Sequence, residues 1–237
     1  MGYRDVTHEK LMYTVAGRSF IRASVSFESF IPANLDEVLA KKLVTYYLSM
    51  LREYPDRRDK VEFEIVFSSF EPDFSSRVKV LTKAGFSQNE QENLQKCLLG
   101  LTNDMFVRVD DDLATVALLT PKIATVKRQK SKDIVNRLRE MVQLTQTFGT
   151  LPFANLARCA FAAITLLKSL NRTGHLSDVQ LSDFMESLCT VGKKLSDDLK
   201  LLRQGEMGKN DFLAQYGHLR PGTYDICTPR YDESFEL

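Results

Sequence analysis

The feature that most constrains this chain is the stretch from residue 87 to residue 202, where apolar residues recur every three or four positions, the spacing of one helix face. Ser87 and Glu90 form a capping-box pair ahead of Leu94, Cys97, Leu98 and Leu101, which marks a helix start. Asp110, Asp111 and Asp112 precede Leu113, Val116, Leu118 and Leu119. Consecutive residues on a helix point in different directions, so these carboxylates read as a solvated helix start favoured by the dipole, not as a metal loop. Pro121 breaks the pattern, which resumes with Ile134, Val135, Leu138, Met141, Val142, Thr145 and Phe148 and stops at Gly149. A new helix after Pro152 carries Leu156, Ala160, Phe161, Ile164, Leu167 and Leu170 on one face and ends by Gly174. Its window 153–170 is the most apolar in the chain, but Asn155, Arg158 and Lys168 interrupt it, so it reads as a buried core helix. Ser177, Gln180 and the Leu176/Leu181 pair start a last long helix, whose stripe of Leu181, Phe184, Leu188, Leu195, Leu199 and Leu202 runs past Gly192. The short connection 171–176 sets these two helices antiparallel.

The first part of the chain alternates instead. Over residues 20–28, Ile21, Ala23, Val25 and Phe27 face one way and Arg22, Ser24, Ser26 and Glu28 the other, the pattern of a half-buried strand. Gly17 supplies a hairpin turn from a strand around Met12–Val15. Val61, Phe63, Ile65 and Phe67, with Glu62 and Glu64 opposite, predict another strand. Between them Asn34 caps a helix bearing Leu35, Val38, Leu39, Leu43, Tyr46, Tyr47 and Met50, ending before Pro55. The fold class is therefore α+β, predominantly α: a small N-terminal sheet with a packed helix, followed by a helical bundle. The divisions fall at 1–72 (strand and helix), 73–210 (bundle) and 211–237 (a C-terminal loop segment). The pattern leaves the strand direction open.

Lys and Arg number 32 against 31 Asp and Glu, so no field of one sign selects nucleic acid or an anionic membrane. The basic run 127–132 has no interleaved aromatics and reads as a solvated face. The four cysteines show no knuckle or redox spacing, and Cys159 and Cys189 sit among apolar residues as reduced, buried thiols. With a polar N-terminus, Met1 to Asp5, this points to the cytoplasm.

His8, His175 and His218 are too far apart to pair on zinc or to activate a nucleophile, and no glycine-rich phosphate cradle is present. Polar chemistry concentrates at the C-terminal end. Gly217, Pro221, Gly222 and Pro229 shape a loop that carries His218, Arg220, Tyr224, Asp225, Arg230 and Asp232. It reads either as a structural lock, with the arginines paired to Asp225 or Asp232, or as a ligand site.

The run Tyr216-Gly217-His218-Leu219-Arg220-Pro221-Gly222-Thr223-Tyr224-Asp225 resembles the tract of phosphoenolpyruvate-synthase and pyruvate-phosphate-dikinase-like enzymes, rifampicin phosphotransferases included, that precedes the swivelling phosphohistidine domain. Similar to the same group are Gly2-Tyr3-Arg4-Asp5-Val6 with Gly17-Arg18-Ser19-Phe20, Ser29-Phe30-Ile31-Pro32, Asp59-Lys60-Val61-Glu62-Phe63, and Gly149-Thr150-Leu151-Pro152-Phe153-Ala154 with Ala157-Arg158. The resemblance implies an internal module between an ATP-grasp domain and a phosphohistidine domain, neither in this chain, with ATP and magnesium belonging to the parent enzyme. The phosphohistidine motif matches none of the three histidines, so no catalytic residue is carried over. Acceptor binding is the implied role, with His218, Arg220, Arg230, Arg22 and Arg18 as its candidate residues. The alternatives are a structural spacer or a helical interaction module without a ligand.

Overall fold

The structure, a computed structural model, describes residues 2–129, 133–221 and 227–234. It is 68% helical with one two-stranded antiparallel sheet near the N-terminus, the predominantly α architecture expected. The chain divides into two compact units, Met1–Ser177 and Asp178–Leu237.

In the first unit, β1 (Met12–Val15) and β2 (Arg18–Ile21) pair with Met12 opposite Ile21 and Val15 opposite Arg18. Both turn residues, Ala16 (φ 50°) and Gly17 (φ 76°), are left-handed, the twist that suits a two-residue hairpin. Both strands are exposed throughout. The strand expected to run on to residue 28 stops at Ile21, and α1 (Ala23–Glu28) follows. Eight alternating residues do not separate the two periods. Phe27 shares a face with Phe30 and Ile31 three and four positions on, and all three are buried.

The next helix, α2 (Glu37–Glu53), is capped by Asp36 rather than Asn34. Its carboxylate accepts from the N–H groups of Val38 (3.0 Å) and Leu39 (3.1 Å), and its negative charge suits the helix N-terminus better than a neutral amide. A 3₁₀ segment, Pro55–Lys60, leads into the short α3 (Val61–Glu64), where the second strand was expected. Beyond it Ile65, Val66 and Phe67 are all buried in succession, which a strand with one wet face does not allow. Segment 65–71 is instead irregular backbone inside the core. Phe67 N–H donates to the Tyr47 hydroxyl (3.0 Å) and Phe70 N–H to the Thr102 hydroxyl (2.8 Å), while the Tyr3 hydroxyl donates to the Ser68 carbonyl (2.6 Å).

After α4 (Phe74–Arg77) and α5 (Lys79–Lys83) comes α6 (Gln88–Val107), opened by the expected capping box of Ser87 and Glu90. Lys42 of α2 reaches Glu90 at 2.7 Å and so ties the start of α6 to α2. Asp110 to Asp112 do open α7 (Val109–Ala117), but Asp112 is not solvated: it is buried and accepts from Asn155 (3.0 Å). Pro121 does not end a helix. It lies in the first turn of α8 (Leu119–Arg128), where its missing N–H has no intrahelical partner to lose. Residues 130–132 of the basic run lie outside the described residues.

The expected stop at Gly149 is also absent. A π-turn, Gln146–Thr150, joins α9 (Ile134–Thr145) to α10 (Leu151–Arg172) in one helix of 39 residues. Pro152 cannot donate to the carbonyl four residues back and its ring crowds it. One wider turn relieves that clash without ending the helix. The helix contains a window long and apolar enough to cross a membrane by composition. Only one face of α10 is buried, and that face carries Asn155 and Ser169, each hydrogen-bonded inside the unit. The core gathers α1, α2, segment 65–67, α4 to α6 and α10, and Tyr47 within it packs against Phe27 at 5.7 Å.

In the second unit the long helix expected past Gly192 is two helices, α11 (Asp178–Ser187) and α12 (Val191–Gln204). Thr190 starts the second by accepting from Lys193 N–H (3.1 Å). Cys189, expected to be buried, lies in that break and is exposed, whereas Cys159 is buried as expected.

Replacing Tyr47 with Phe, or Thr102 with Val, leaves a buried N–H of segment 65–71 without a partner. Each should lower the unfolding free energy by about 1–3 kcal/mol in urea titrations at an unchanged m-value.

Candidate functional site

The C-terminal tract grows out of α13 (Lys209–Tyr216), which is anchored by two buried rings, Phe212 and Tyr216, at 4.9 Å. The Tyr216 hydroxyl donates to Asp198 on α12 (2.6 Å), and desolvation together with that carboxylate pushes the phenol up to about 12. The chain then doubles back. Asp232 N–H donates to the Gly217 carbonyl (3.0 Å) and Tyr231 N–H to the Leu219 carbonyl (2.9 Å). Gly217 is required here because a Cβ would lie 2.4 Å from the Leu213 carbonyl oxygen and 2.9 Å from Asp232 Cβ.

This return brings Arg220 and Arg230 into one loop. Arg220 donates through Nε to the Thr228 carbonyl (2.8 Å). Arg230 grips Asp232 with Nε (2.9 Å) and Nη2 (3.1 Å) and lies 3.4 Å from Glu233. His218 is exposed in the turn after α13. A shallow cleft of about 210 Å³, lined by Pro221, Thr228, Pro229, Tyr231 and Ser234, opens beside them. Tyr224 and Asp225 lie outside the described residues. Arg18 and Arg22 belong to the other unit. Arg22 donates to Glu9 (2.9 Å) and to Ser24 (3.2 Å), and Arg18 is exposed just after the hairpin turn.

The most concentrated charge in the first unit was not anticipated from the sequence. Glu71, whose side chain is 1% exposed, accepts from both Arg77 and Arg172. Asp73 accepts from Arg172 Nε (2.6 Å) and from the Ser169 hydroxyl (2.5 Å). The Arg172 guanidinium holds the Asp73 carboxyl below the usual range, and is itself raised by it. Burial first, and then the Arg172 charge, lowers Arg77. Two carboxylates and two guanidiniums balance. What they do is brace the end of segment 65–71 against the last turn of α10. Glu71 and Asp73 alone look like ordinary loop acids, because their partner Arg172 is about a hundred residues away.

A second convergence involves stretches read separately in the sequence. Tyr3 bridges Pro32 in antiparallel fashion, and Arg4 N–H donates to the Ile31 carbonyl (2.9 Å). The Arg158 guanidinium lies over the rings of Tyr3 (4.4 Å) and Phe30 (4.7 Å) and donates to the Ser29 carbonyl (3.1 Å). Burial pushes the Tyr3 phenol up to about 12. Phe63 meets Phe161 edge-on at 5.0 Å. Four of the tracts quoted above therefore meet along one face of α10. Among the described residues no three His, Cys, Asp or Glu side chains cluster closely enough to hold a metal ion. Comparisons with models of known families, with curated proteins and with solved structures find no match.

Because the folded-state pKa of Asp73 is depressed, its pairing contributes stability that is complete above its ordinary value near 3.8 and is lost as pH falls through the lower folded value. Asp73→Asn should therefore cost about 1.5–3 kcal/mol at pH 7 and flatten the acid limb of stability below about pH 4, measured by chemical unfolding across pH.

Proposed function

We propose that this chain is an internal domain of a phosphoenolpyruvate-synthase-like, ATP-dependent phosphotransferase, positioning or binding the phosphoryl acceptor between an ATP-grasp domain and a phosphohistidine domain. ATP, magnesium and the transferred phosphoryl group belong to those neighbours. The supporting observation is the doubled-back loop of the second unit, where Gly217 lets the returning chain close and brings Arg220 and Arg230 into one loop that also carries an exposed His218. Guanidinium forks match oxyanions bidentately, and the grip of Arg230 on Asp232 is the geometry an incoming phosphoryl or carboxylate oxygen pair would replace. The second unit binds the charged end of the acceptor in this reading.

One observation favours the alternative of a helical interaction module. On α9, Ile134, Val135, Leu138 and Val142 are 75%, 62%, 62% and 48% exposed, an apolar stripe left largely open by the described residues.

In the parent enzyme, Arg220→Ala and Arg230→Ala should each reduce acceptor phosphorylation by about tenfold to a hundredfold while leaving the thermal midpoint unchanged. Unchanged turnover at unchanged stability would sink the acceptor reading. Loss of a partner or of self-association on Leu138→Asp, with turnover intact, would instead favour the interaction module. The parent reading also requires the open reading frame to encode an ATP-grasp domain and a phosphohistidine domain beside this one.

A further inference from the structure

A cleft of about 420 Å³ in the first unit takes no part in the reading above. Its walls come from elements distant in sequence: Ile21 from β2, Ala23, Ser26 and Phe27 from α1, Leu51 from α2 and Val61 from α3, with Arg58 and Asp59 at the rim. Phe27 is fixed in the core, so the floor is rigid. The roof is the hairpin, where Ile21 is 59% exposed. The volume falls in the range of small-molecule sites. It is well under the roughly 1,000 Å³ or more that three turns of a helix about 10 Å across would need. Carbon-lined walls with one guanidinium, Arg58, beside one carboxylate, Asp59, at the mouth select a particular ligand chemistry. Among the described residues Arg58 pairs with Asp59, at 3.8 Å, and both side chains are about four-fifths exposed, so this pairing is weak enough for a ligand anion to displace. The cleft beside Arg4, Glu28 and Lys41 differs, since Arg4 there is already bonded to Glu28 and Glu37.

We propose that this cleft binds a small amphipathic molecule, its apolar body on Phe27, Leu51 and Val61 under Ile21, and its one anionic group at Arg58. The probe is 8-anilinonaphthalene-1-sulfonate, with uncharged N-phenyl-1-naphthylamine as its control. Saturable fluorescence is expected for both. Ile21→Ser, on an exposed strand, and Ser26→Phe, which fills the cleft, should each weaken both probes by roughly tenfold. Arg58→Gln should weaken the sulfonate alone, by about threefold to tenfold. Methyl NMR should place the shifts on Ile21, Leu51 and Val61. The proposal is overturned by the absence of saturable binding up to about 1 mM probe, by shifts centred on Leu138 and Val142 of α9, or by equal effects of Arg58→Gln on the two probes. Far-UV circular dichroism checks each variant's fold, and Ile21→Ser keeps the test decisive if Ser26→Phe fails to fold.

Discussion

A backbone that passes through a core without helix or strand must draw on side chains for hydrogen bonds, and segment 65–71 finds three of them on Tyr3, Tyr47 and Thr102. The rest of the first unit is arranged around that demand. The N-terminal segment is held by Tyr3, α2 by Tyr47 and α6 by Thr102, so one buried stretch fixes three elements that have no ladder in common. Its far end is held by charge, through Glu71 and Asp73 on Arg172. Burial keeps the two phenols involved protonated well beyond neutral pH, so as donors and acceptors they are insensitive to ordinary conditions.

This arrangement explains what was legible in the sequence. Ser87 and Glu90 satisfy each other three residues apart, so the start of α6 could be read directly. The hairpin turn was equally local, since Gly17 adopts the left-handed conformation that it tolerates. The strand expected at 61–67 was overruled by partners 20 and 32 residues distant, whose hydroxyls no period reveals. Pro152 misled for a different reason: the rule that proline ends a helix omits the wider turn that lets one continue. The apolar stripe through Gly192 matched helical spacing on both sides of Thr190, and periodicity alone could not locate the cap.

The candidate sites divide along the same line. Arg230 and Asp232 are two residues apart, so their pairing could be anticipated among the alternatives for the C-terminal loop. The meeting of Tyr3, Phe30 and Arg158 could not, because each lies in a different element and only folding stacks the guanidinium between the rings. The carbon-walled cleft likewise arises from four elements, and none of its walls stands out in sequence from an ordinary core position.

The π-turn at 146–150 also sets an angular phase. Each helical residue advances about 100° around the axis, and a wide turn holds one residue more than an ordinary one. The apolar stripe of α9 and the buried face of α10 are therefore offset, though they share one axis. Removing a single residue there would restore an unbroken α-helix while rotating the whole surface of α9 by roughly a quarter turn relative to the core. The orientation of that stripe is thus encoded not by any residue within it but by one surplus residue a full turn away.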